Sequence, residues 1–265
     1  DSATLAEDSF TDVAVLTNDN DVDGDTLTVS STTQGSSGAV SINVDGTIRY
    51  TPLPNFNGAD SFTYEISDGN SAIATATVTI DVMSVNDIPV ATGDSATLAE
   101  DSFTDVAVLT NDNDVENNLL TISSTTQGSG GAVSINVDGT IRYTPLPNFN
   151  GADSFTYEIS DNNGGMATAT VTVDITATND APVATDDTAT LAEDSFTDVA
   201  VLTNDNDVDG DTLTVSSTTQ GSSGAVLINV DGTIRYTPLP NFNGADSFTY
   251  EISDGNSAIA TATVT

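Results

Sequence analysis

The chain has no cysteine, histidine, lysine or tryptophan, and its 265 residues include only three arginines. Without cysteine or histidine it has no disulfide, no thiolate nucleophile, no zinc site and no Ser-His-Asp triad. Three arginines do not make the basic surface that nucleic-acid binding needs. The apolar runs fall far short of the roughly 18 residues of a membrane helix, and no signal peptide is visible. We therefore expect no nucleic-acid partner and no direct membrane insertion.

Acidic residues make up almost all of the charged set. Forty aspartates and glutamates against three arginines give a formal net charge of −37. A high charge of one sign can indicate disorder, but hydrophobic residues make up 37% of this chain. The composition therefore favours folded domains that carry many carboxylates.

The sequence consists of three copies of one unit, which come into register after a shift of 93 positions. The first and third copies differ at two of their 79 shared positions, so they agree by descent. A period of this length suits an autonomous small domain, whereas the units of a solenoid bury a core only against their neighbours. We expect domain boundaries at the proline-containing segments Val85–Pro89 and Thr178–Pro182, because proline ends a strand and asparagine and aspartate favour turns. The three predicted domains, called repeats 1, 2 and 3 below, are residues 1–86, 87–179 and 180–265, the last truncated at its C-terminus.

Apolar and polar residues alternate within each repeat, which indicates half-buried strands. Phe62, Tyr64 and Ile66 form one such run. The dipeptide Asp45-Gly46 between two runs predicts a hairpin with a two-residue loop, and Val44 just before it is expected on the apolar face. Seven strands in about 93 residues predict an all-β fold, namely three tandem immunoglobulin-like, seven-stranded Greek-key β-sandwiches in a linear array. The predicted strands of repeat 1 cover residues 3–5, 13–16, 27–31, 40–44, 48–50, 62–66 and 74–82.

Four carboxylates fall within seven residues in the predicted loop Asp19–Asp25. Like charges so close together repel one another unless a cation lies among them. The series fits the opening D-x-D-x-D-G of a calcium loop, in which alternate oxygens converge and glycine permits a sharp turn. The EF-hand motif is incomplete, because its twelfth position is Ser30 and repeat 2 has Asn117 instead of the glycine. Oxygen ligands still favour Ca²⁺ over a transition metal, and the alternative is a solvated acidic turn. The candidate ligands in these loops are Asp19, Asp21, Asp23 and Asp25 in repeat 1, Asp112, Asp114 and Glu116 in repeat 2, and Asp205, Asp207 and Asp209 in repeat 3.

Two sets of residues carry a family resemblance that covers all three repeats. The tail Ser67–Pro89 is similar to the last strand and the Asn-Asp-x-x-Pro linker of a cadherin repeat. The whole unit more closely resembles the cadherin-like and immunoglobulin-like tandem repeats in the extender regions of giant bacterial surface adhesins of the RTX type. The matching motifs are Glu7-Asp8, Val15–Asp21, Asp45–Thr47, Tyr50–Pro52, Phe56–Gly58, Phe62–Tyr64 and Ser67–Gly69.

The resemblance implies calcium at each junction between repeats, held by ligands from both domains and from the linker. The Asp-Arg-Glu motif of cadherins is missing, and its region holds Asn55–Asp60, so Asp60 or Asp153 is expected to substitute. Ser84 and Ala177 stand where cadherins carry a further aspartate before the linker. Asp68 occupies in repeat 1 the position that two of the implied ligands, Asp161 and Asp254, occupy in repeats 2 and 3. Those ligands are Glu7, Asn86, Asp87, Asp114, Glu116 and Asp161 at the first junction, and Glu100, Asn179, Asp180, Asp207, Asp209 and Asp254 at the second.

These features favour a calcium-dependent structural spacer of a secreted bacterial cell-surface adhesin. We expect a monomer whose partners are the neighbouring repeats of the same chain. A surface glycan or another cell-surface ligand would bind through other regions of the parent protein. Carboxylate pairs such as Glu7 and Asp8 contain the groups that a glycosidase needs, but they fall in turns with no sign of a pocket, so we expect no enzyme.

Two alternative binding functions remain open. A calcium-dependent carbohydrate-binding or homophilic adhesion module would need exposed stacking platforms, whereas Tyr50 and Tyr64 are expected in the core. An ice-binding surface would need a flat array of threonines, and Thr75–Thr79 supplies one strand per repeat. The one arginine of each repeat, Arg49 in repeat 1, is expected to pair with nearby carboxylates.

Overall fold

The computed structural model describes all 265 residues as three successive β-sandwiches. In repeat 1 one sheet has the strand order β1-β7-β6-β3, with β1 parallel to β7, and the other has the antiparallel order β2-β5-β4. This is the predicted seven-stranded Greek key. Its strands are β1 (Ser2–Ala6), β2 (Thr11–Val13), β3 (Thr28–Thr32), β4 (Gly38–Ile42), β5 (Ile48–Pro52), β6 (Gly58–Ser67) and β7 (Ile73–Met83).

Repeat 2 repeats this topology strand for strand. The equivalents of β1-β7-β6-β3 are β8-β14-β13-β10, and the second sheet is β9-β12-β11. In both repeats the third strand shows a register shift against the sixth, at the pairs Val29/Ser31 and Ile122/Ser124. The strands are β8 (Asp94–Ala99), β9 (Thr104–Val106), β10 (Thr121–Thr125), β11 (Gly131–Ile135), β12 (Ile141–Pro145), β13 (Gly151–Ser160) and β14 (Met166–Thr176).

Repeat 3 has the same two sheets, but its first strand is shorter. Its last strand ends at Val264, and the first strand is reduced to a single parallel bridge between Asp187 and Val264. A cavity of about 470 Å³ lies beside Leu191 and Phe248. The strands are β15 (Thr197–Val199), β16 (Thr214–Thr218), β17 (Gly224–Ile228), β18 (Ile234–Pro238), β19 (Phe248–Ser253) and β20 (Ile259–Val264), in the sheets β16-β19-β20 and β15-β18-β17.

The core of each repeat lies between its two sheets. Tyr50 and Tyr64 are fully buried, as the alternation predicted, and Tyr50 stacks on Phe62 with ring centroids 6.2 Å apart. Gly38 has to be glycine, because a Cβ there would lie 2.4 Å from the Tyr50 ring. The burial of apolar surface in these three cores supplies the main driving force for folding.

Two local predictions were wrong in detail. The predicted strand 13–16 ends at Val13, and Val15–Thr17 forms one turn of 3-10 helix that buries the Val15 side chain. In the predicted hairpin the last strand pair is Ile42 with Ile48, and Asn43 N–H still donates to Thr47 O at 2.8 Å, so the loop has the three residues 44–46 instead of two. Val44 is fully exposed at its tip, and Gly46 takes a φ of +86°, which a three-residue loop with a left-handed last residue requires.

Arg49 pairs with a carboxylate, as predicted. Its guanidinium donates to both carboxylate oxygens of Asp12 at 2.9 Å and lies 4.0 Å above the exposed ring of Phe10. The same arrangement recurs in repeats 2 and 3. Each repeat therefore neutralises its only arginine locally.

The helical segments of the protein are three residues long, and none of them could span a membrane.

Candidate metal centre

Each linker is fixed to the acidic loop of the repeat that follows it. Backbone N–H groups of Val90 and Asn113 donate to each other's carbonyl oxygens at 2.7 and 3.1 Å. Val183 and Asn206 do the same at the second junction, at 2.8 and 3.1 Å. These pairs set the linker beside the loops that begin at Asp112 and Asp205.

At the first junction, residues of repeat 1, the linker and repeat 2 converge. Glu7 is buried at the end of β1, and its Oε1 accepts a hydrogen bond from Val85 N–H at 2.6 Å. The linker residue Asn86 donates through Nδ2 to Asp161 Oδ2 at 2.6 Å. The next linker residue, Asp87, donates its backbone N–H to Glu116 Oε2 at 3.2 Å.

The second junction repeats this geometry. Glu100 Oε1 accepts from Thr178 N–H at 2.5 Å, and Asn179 Nδ2 donates to Asp254 Oδ2 at 2.6 Å. Asp180 N–H donates to Asp209 Oδ2 at 2.8 Å. At both junctions the linker is thus joined to the acidic end of the next repeat through equivalent pairs, and a buried glutamate of the preceding repeat holds the start of the linker.

Five buried side-chain oxygen atoms in the protein have no hydrogen-bond partner, and all five belong to carboxylates at the two junctions. A buried carboxylate oxygen without a donor costs several kcal/mol unless a positive charge compensates it. Every other buried side-chain polar atom has a partner, so the deficit is confined to these places. The atoms are Asp87 Oδ2, Asp114 Oδ2 and Glu116 Oε1 at the first junction, and Asp180 Oδ2 and Asp207 Oδ2 at the second.

The charges at the second junction act on one another. Burial raises the pKa of Asp180, and four neighbouring carboxylates raise it further. By contrast, the hydrogen bond from Asn179 lowers the pKa of Asp254, and the one from Asn86 lowers the pKa of Asp161. The linker asparagines therefore stabilise one carboxylate of each junction, while Asp180 remains close to other negative charges. The four neighbours of Asp180 are Asp101, Asp209, Glu100 and Asp207.

Repeat 1 carries the same loop, and no other repeat of the structure lies against it. Carboxylate oxygens of Asp21, Asp25 and Asp68 lie within 4.8 Å of one another there, beside Asp23 in the same turn. Val22 is 96% exposed at this end, whereas its equivalents at the junctions, Val115 and Val208, are 43% and 51% exposed. The valine of this loop is therefore about half as exposed at each junction as it is in repeat 1.

The structure places two groups of predicted ligands elsewhere. Asp19 does not converge with Asp21 and Asp23, because its Oδ2 accepts from the Tyr64 hydroxyl at 3.0 Å, next to Asp1. Its equivalents Asp112 and Asp205 bind Tyr157 and Tyr250 in the same way. The alternate carboxylates of the D-x-D-x-D-G series thus diverge, which corrects the expectation of a single calcium loop.

Asp60 and Asp153 do not reach the junctions either. Each lies between the sheets and accepts hydrogen bonds from a tyrosine hydroxyl and from the serine-glycine loop at 2.7–3.0 Å. The residue of this region that does approach the junction is Asn57, whose Nδ2 lies 3.4 Å from Glu7 Oε2, and Asn150 lies 3.3 Å from Glu100 Oε2.

Sequence reasoning also missed two aspartates at the second junction. Asp211 forms a group with Asp207 and Asp254, whose carboxylate oxygens lie within 4.8 Å of one another. It is the repeat equivalent of Asp25, so the repeat alignment contained the signal. Asp101 follows Glu100 directly and raises the pKa of Asp180, but its place beside Glu100 looked like an ordinary turn.

The donor set at both junctions consists only of carboxylate and amide oxygens. A hard divalent cation such as Ca²⁺ takes six to eight such ligands and is flexible in geometry. The buried carboxylate oxygens without a hydrogen-bond partner are negatively charged oxygen ligands of the kind that Ca²⁺ takes, so these residues fit calcium.

Residues 1–81, 86–174 and 179–265 each match the family model of the bacterial Ig domain. The chain is also 36% identical over 107 residues to the Protein GAMETE EXPRESSED 2 of Arabidopsis thaliana, a match that covers 40% of this chain. The chain spans only 11% of the length of that curated relative.

Two solved structures resemble the fold along its whole length. The extracellular domain of Protocadherin GammaB4 has a TM-score of 0.58 at 18% identity, covering 100% of this chain and 48% of that one. Human CDH23 EC21-23 has a TM-score of 0.58 at 16% identity, covering 100% of this chain and 98% of that one. These identities show the fold alone, which is that of tandem cadherin-like sandwiches. The family match extends over nearly the whole chain, and the chain therefore belongs to the bacterial Ig domain family.

Proposed function

We propose that this chain is a calcium-stiffened spacer, part of the extender region of a secreted bacterial cell-surface adhesin of the RTX type. The observation that carries the proposal is the set of five partnerless buried carboxylate oxygens, all at the two junctions. A folded protein does not retain such atoms without compensation, and a bound cation is the simplest source of it.

The residues that would hold Ca²⁺ come from three parts of the chain at each junction. At the first junction Glu7 belongs to repeat 1, Asp87 to the linker, and Asp114, Glu116 and Asp161 to repeat 2. Calcium supplies positive charge that offsets the repulsion among these carboxylates. Because its ligands belong to both domains, binding would couple their orientation.

Without calcium the same carboxylates repel one another across a short linker. The contacts that would remain at the first junction include the hydrogen bonds from Asn86 and Asp87. Interfaces of this kind leave neighbouring domains free to move. Calcium would therefore change the chain from a jointed array into a stiffer rod, which suits a part that sets length.

The cellular setting follows from the same chemistry. Millimolar calcium is available outside cells, and modules that bind it there have dissociation constants of about 10⁻⁴–10⁻³ M. We place the chain at the bacterial surface, as a monomer whose partners are its own neighbouring repeats and which catalyses no reaction. A ligand of the parent adhesin, such as a surface glycan, would bind elsewhere in that protein.

The alternative, a carbohydrate-binding or homophilic module, has less support. Tyr50 and Tyr64 lie in the core, as do their equivalents in the other repeats. The exposed aromatic side chain that remains in each repeat is the phenylalanine covered by arginine, Phe10 in repeat 1. Binding to a glycan array, or self-association in calcium during ultracentrifugation, would favour this alternative.

Calcium titration by calorimetry tests the proposal, followed by thermal melting with and without the ion. We expect saturable binding and a rise in melting temperature that grows with calcium concentration, since a ligand that binds only the folded state stabilises it. Magnesium at the same ionic strength is the control for general screening of the charge. Equal melting temperatures in calcium, magnesium and chelator would contradict the proposal.

A further inference from the structure

The acidic loops of the two junctions differ at three positions, and among these only the last residue of the loop differs in charge. That residue is Asn118 in repeat 2 and Asp211 in repeat 3. The turn around it is the same in both repeats. The backbone N–H of Asn118 donates to Asp114 Oδ1 at 2.9 Å, and that of Asp211 donates to Asp207 Oδ1 at 3.3 Å. The two side chains therefore start from equivalent places.

At the second junction the Asp211 side chain adds a carboxylate to the site. Its oxygen lies within 4.8 Å of those of Asp207 and Asp254. Asp254 is 4% exposed, and Asp207 Oδ2 is one of the partnerless buried oxygens. The group therefore combines three charges at short range with an atom that already lacks a donor.

At the first junction the Asn118 side chain adds no carboxylate and forms a hydrogen bond to the linker instead. Its Nδ2 donates to Asn86 Oδ1 at 3.2 Å, so a hydrogen bond links the linker to repeat 2 and occupies the linker amide oxygen. No carboxylate at this position repels Asp114 or Asp161. Compared with the second junction, the first thus has one negatively charged ligand fewer. It also has one more hydrogen bond between the linker and the repeat that follows it.

We propose that the residue at position 118 or 211 sets the calcium affinity of its junction, so that the second junction binds calcium more tightly than the first and depends on it more. This inference rests on the proposed function. Calcium affinity in oxygen-ligand sites is tuned by the number of ligand charges, and one carboxylate changes it by roughly tenfold or more. As calcium falls, the first junction loses its ion first but keeps the Asn118–Asn86 contact, whereas the second junction loosens only at lower calcium.

Calorimetric titration of the full chain with calcium tests this, at constant 0.15 M salt. The parent chain should show two classes of site that differ by about tenfold or more in affinity. Asp211→Asn should weaken the tight class to the level of the weak one. Asn118→Asp should strengthen the weak class to match the tight one, and it adds a group rather than removing one, so it guards against a simple loss of folding.

Asp45→Asn is the charge control, because Asp45 lies in the hairpin loop between β4 and β5, accepts a hydrogen bond from Thr47 and belongs to none of the acidic groups described above. It removes the same charge and should leave both junction classes in place. Glu116→Asp removes a second difference between the two acidic loops, Glu116 against Asp209, and should leave the order of affinities unchanged. Circular dichroism melting checks that each variant is folded.

The outcomes separate the two proposals. Two affinity classes that neither Asp211→Asn nor Asn118→Asp shifts would overturn this inference and leave the proposed function intact. An equal loss from Asp45→Asn and Asp211→Asn would also overturn it, because the effect would then come from net charge alone. A parent chain that binds no calcium would overturn the proposed function itself.

Discussion

The side-chain amide of Asn86 donates to Asp161 Oδ2 at 2.6 Å, and this contact joins the linker after repeat 1 to the acidic end of repeat 2. The same bond joins Asn179 to Asp254. Each linker asparagine thus donates a hydrogen bond to one carboxylate of the next repeat, while the linker aspartate that follows it keeps one buried oxygen without a partner.

Asp161→Ala should weaken calcium binding at the first junction by about tenfold or more, because it removes a charged ligand and the contact with Asn86. Asp68→Ala is the matched control, since Asp68 holds the same loop position where no linker lies against it. Calorimetry on both variants measures the difference. If Asp68→Ala weakened the junction sites as much as Asp161→Ala, the assignment of Asp161 to the junction would be wrong.

Acid should destabilise each repeat through its buried aspartate. Burial raises the pKa of Asp153, but hydrogen bonds from Tyr143, Ser154, Gly130 and Ser129 outweigh burial and lower the pKa from 3.8 to about 2. A group whose pKa is lower in the folded state contributes stability above its unfolded pKa and loses it as the pH falls through the folded value. The melting temperature in chelator should therefore fall between about pH 4 and pH 2.

Asp153→Asn should flatten that fall for repeat 2, although it lowers stability at neutral pH by leaving the donors poorly matched. Thermal melts at intervals of half a pH unit give the slope for the parent chain and the variant. An unchanged slope would show that other carboxylates govern the acid response.

Ser71→Gly should stabilise repeat 1 by about 1 kcal/mol, because Ser71 is held at a φ of +82° where a side chain is strained. Repeat 2 already has a glycine at this position, Gly164, at a φ of +110°. The reverse change, Gly164→Ser, should destabilise repeat 2 by a similar amount. Urea unfolding gives both free energies, and opposite signs are required.

The repeat period and the alternation of apolar residues predicted the fold because both follow from local rules. A half-buried strand places every second side chain inside, which is why Phe62 and Tyr64 were assigned to the core correctly. Val44 was assigned wrongly, because the pattern does not show where a strand ends and its hairpin loop begins. Loop length depends on the pairing of Ile42 with Ile48, which is a property of two strands together.

The candidate site was predictable only as far as the linker and its neighbours could be aligned with a known pattern. The divergence of Asp19 from Asp21 depends on the Tyr64 hydroxyl, which lies 45 residues away in sequence. Asp60 points between the sheets because it lies on the buried side of β6. The spacing of the carboxylates predicts neither position, because tertiary packing determines both.

Small-angle X-ray scattering of the full chain, with calcium and with chelator at the same 0.15 M salt, tests the central claim most directly. Screening is then constant at a Debye length of about 8 Å, so a change in shape reports bound calcium rather than ionic strength. The account predicts a larger maximum dimension and a narrower distribution of interdomain distances in calcium. Superimposable scattering curves in the two conditions would contradict it.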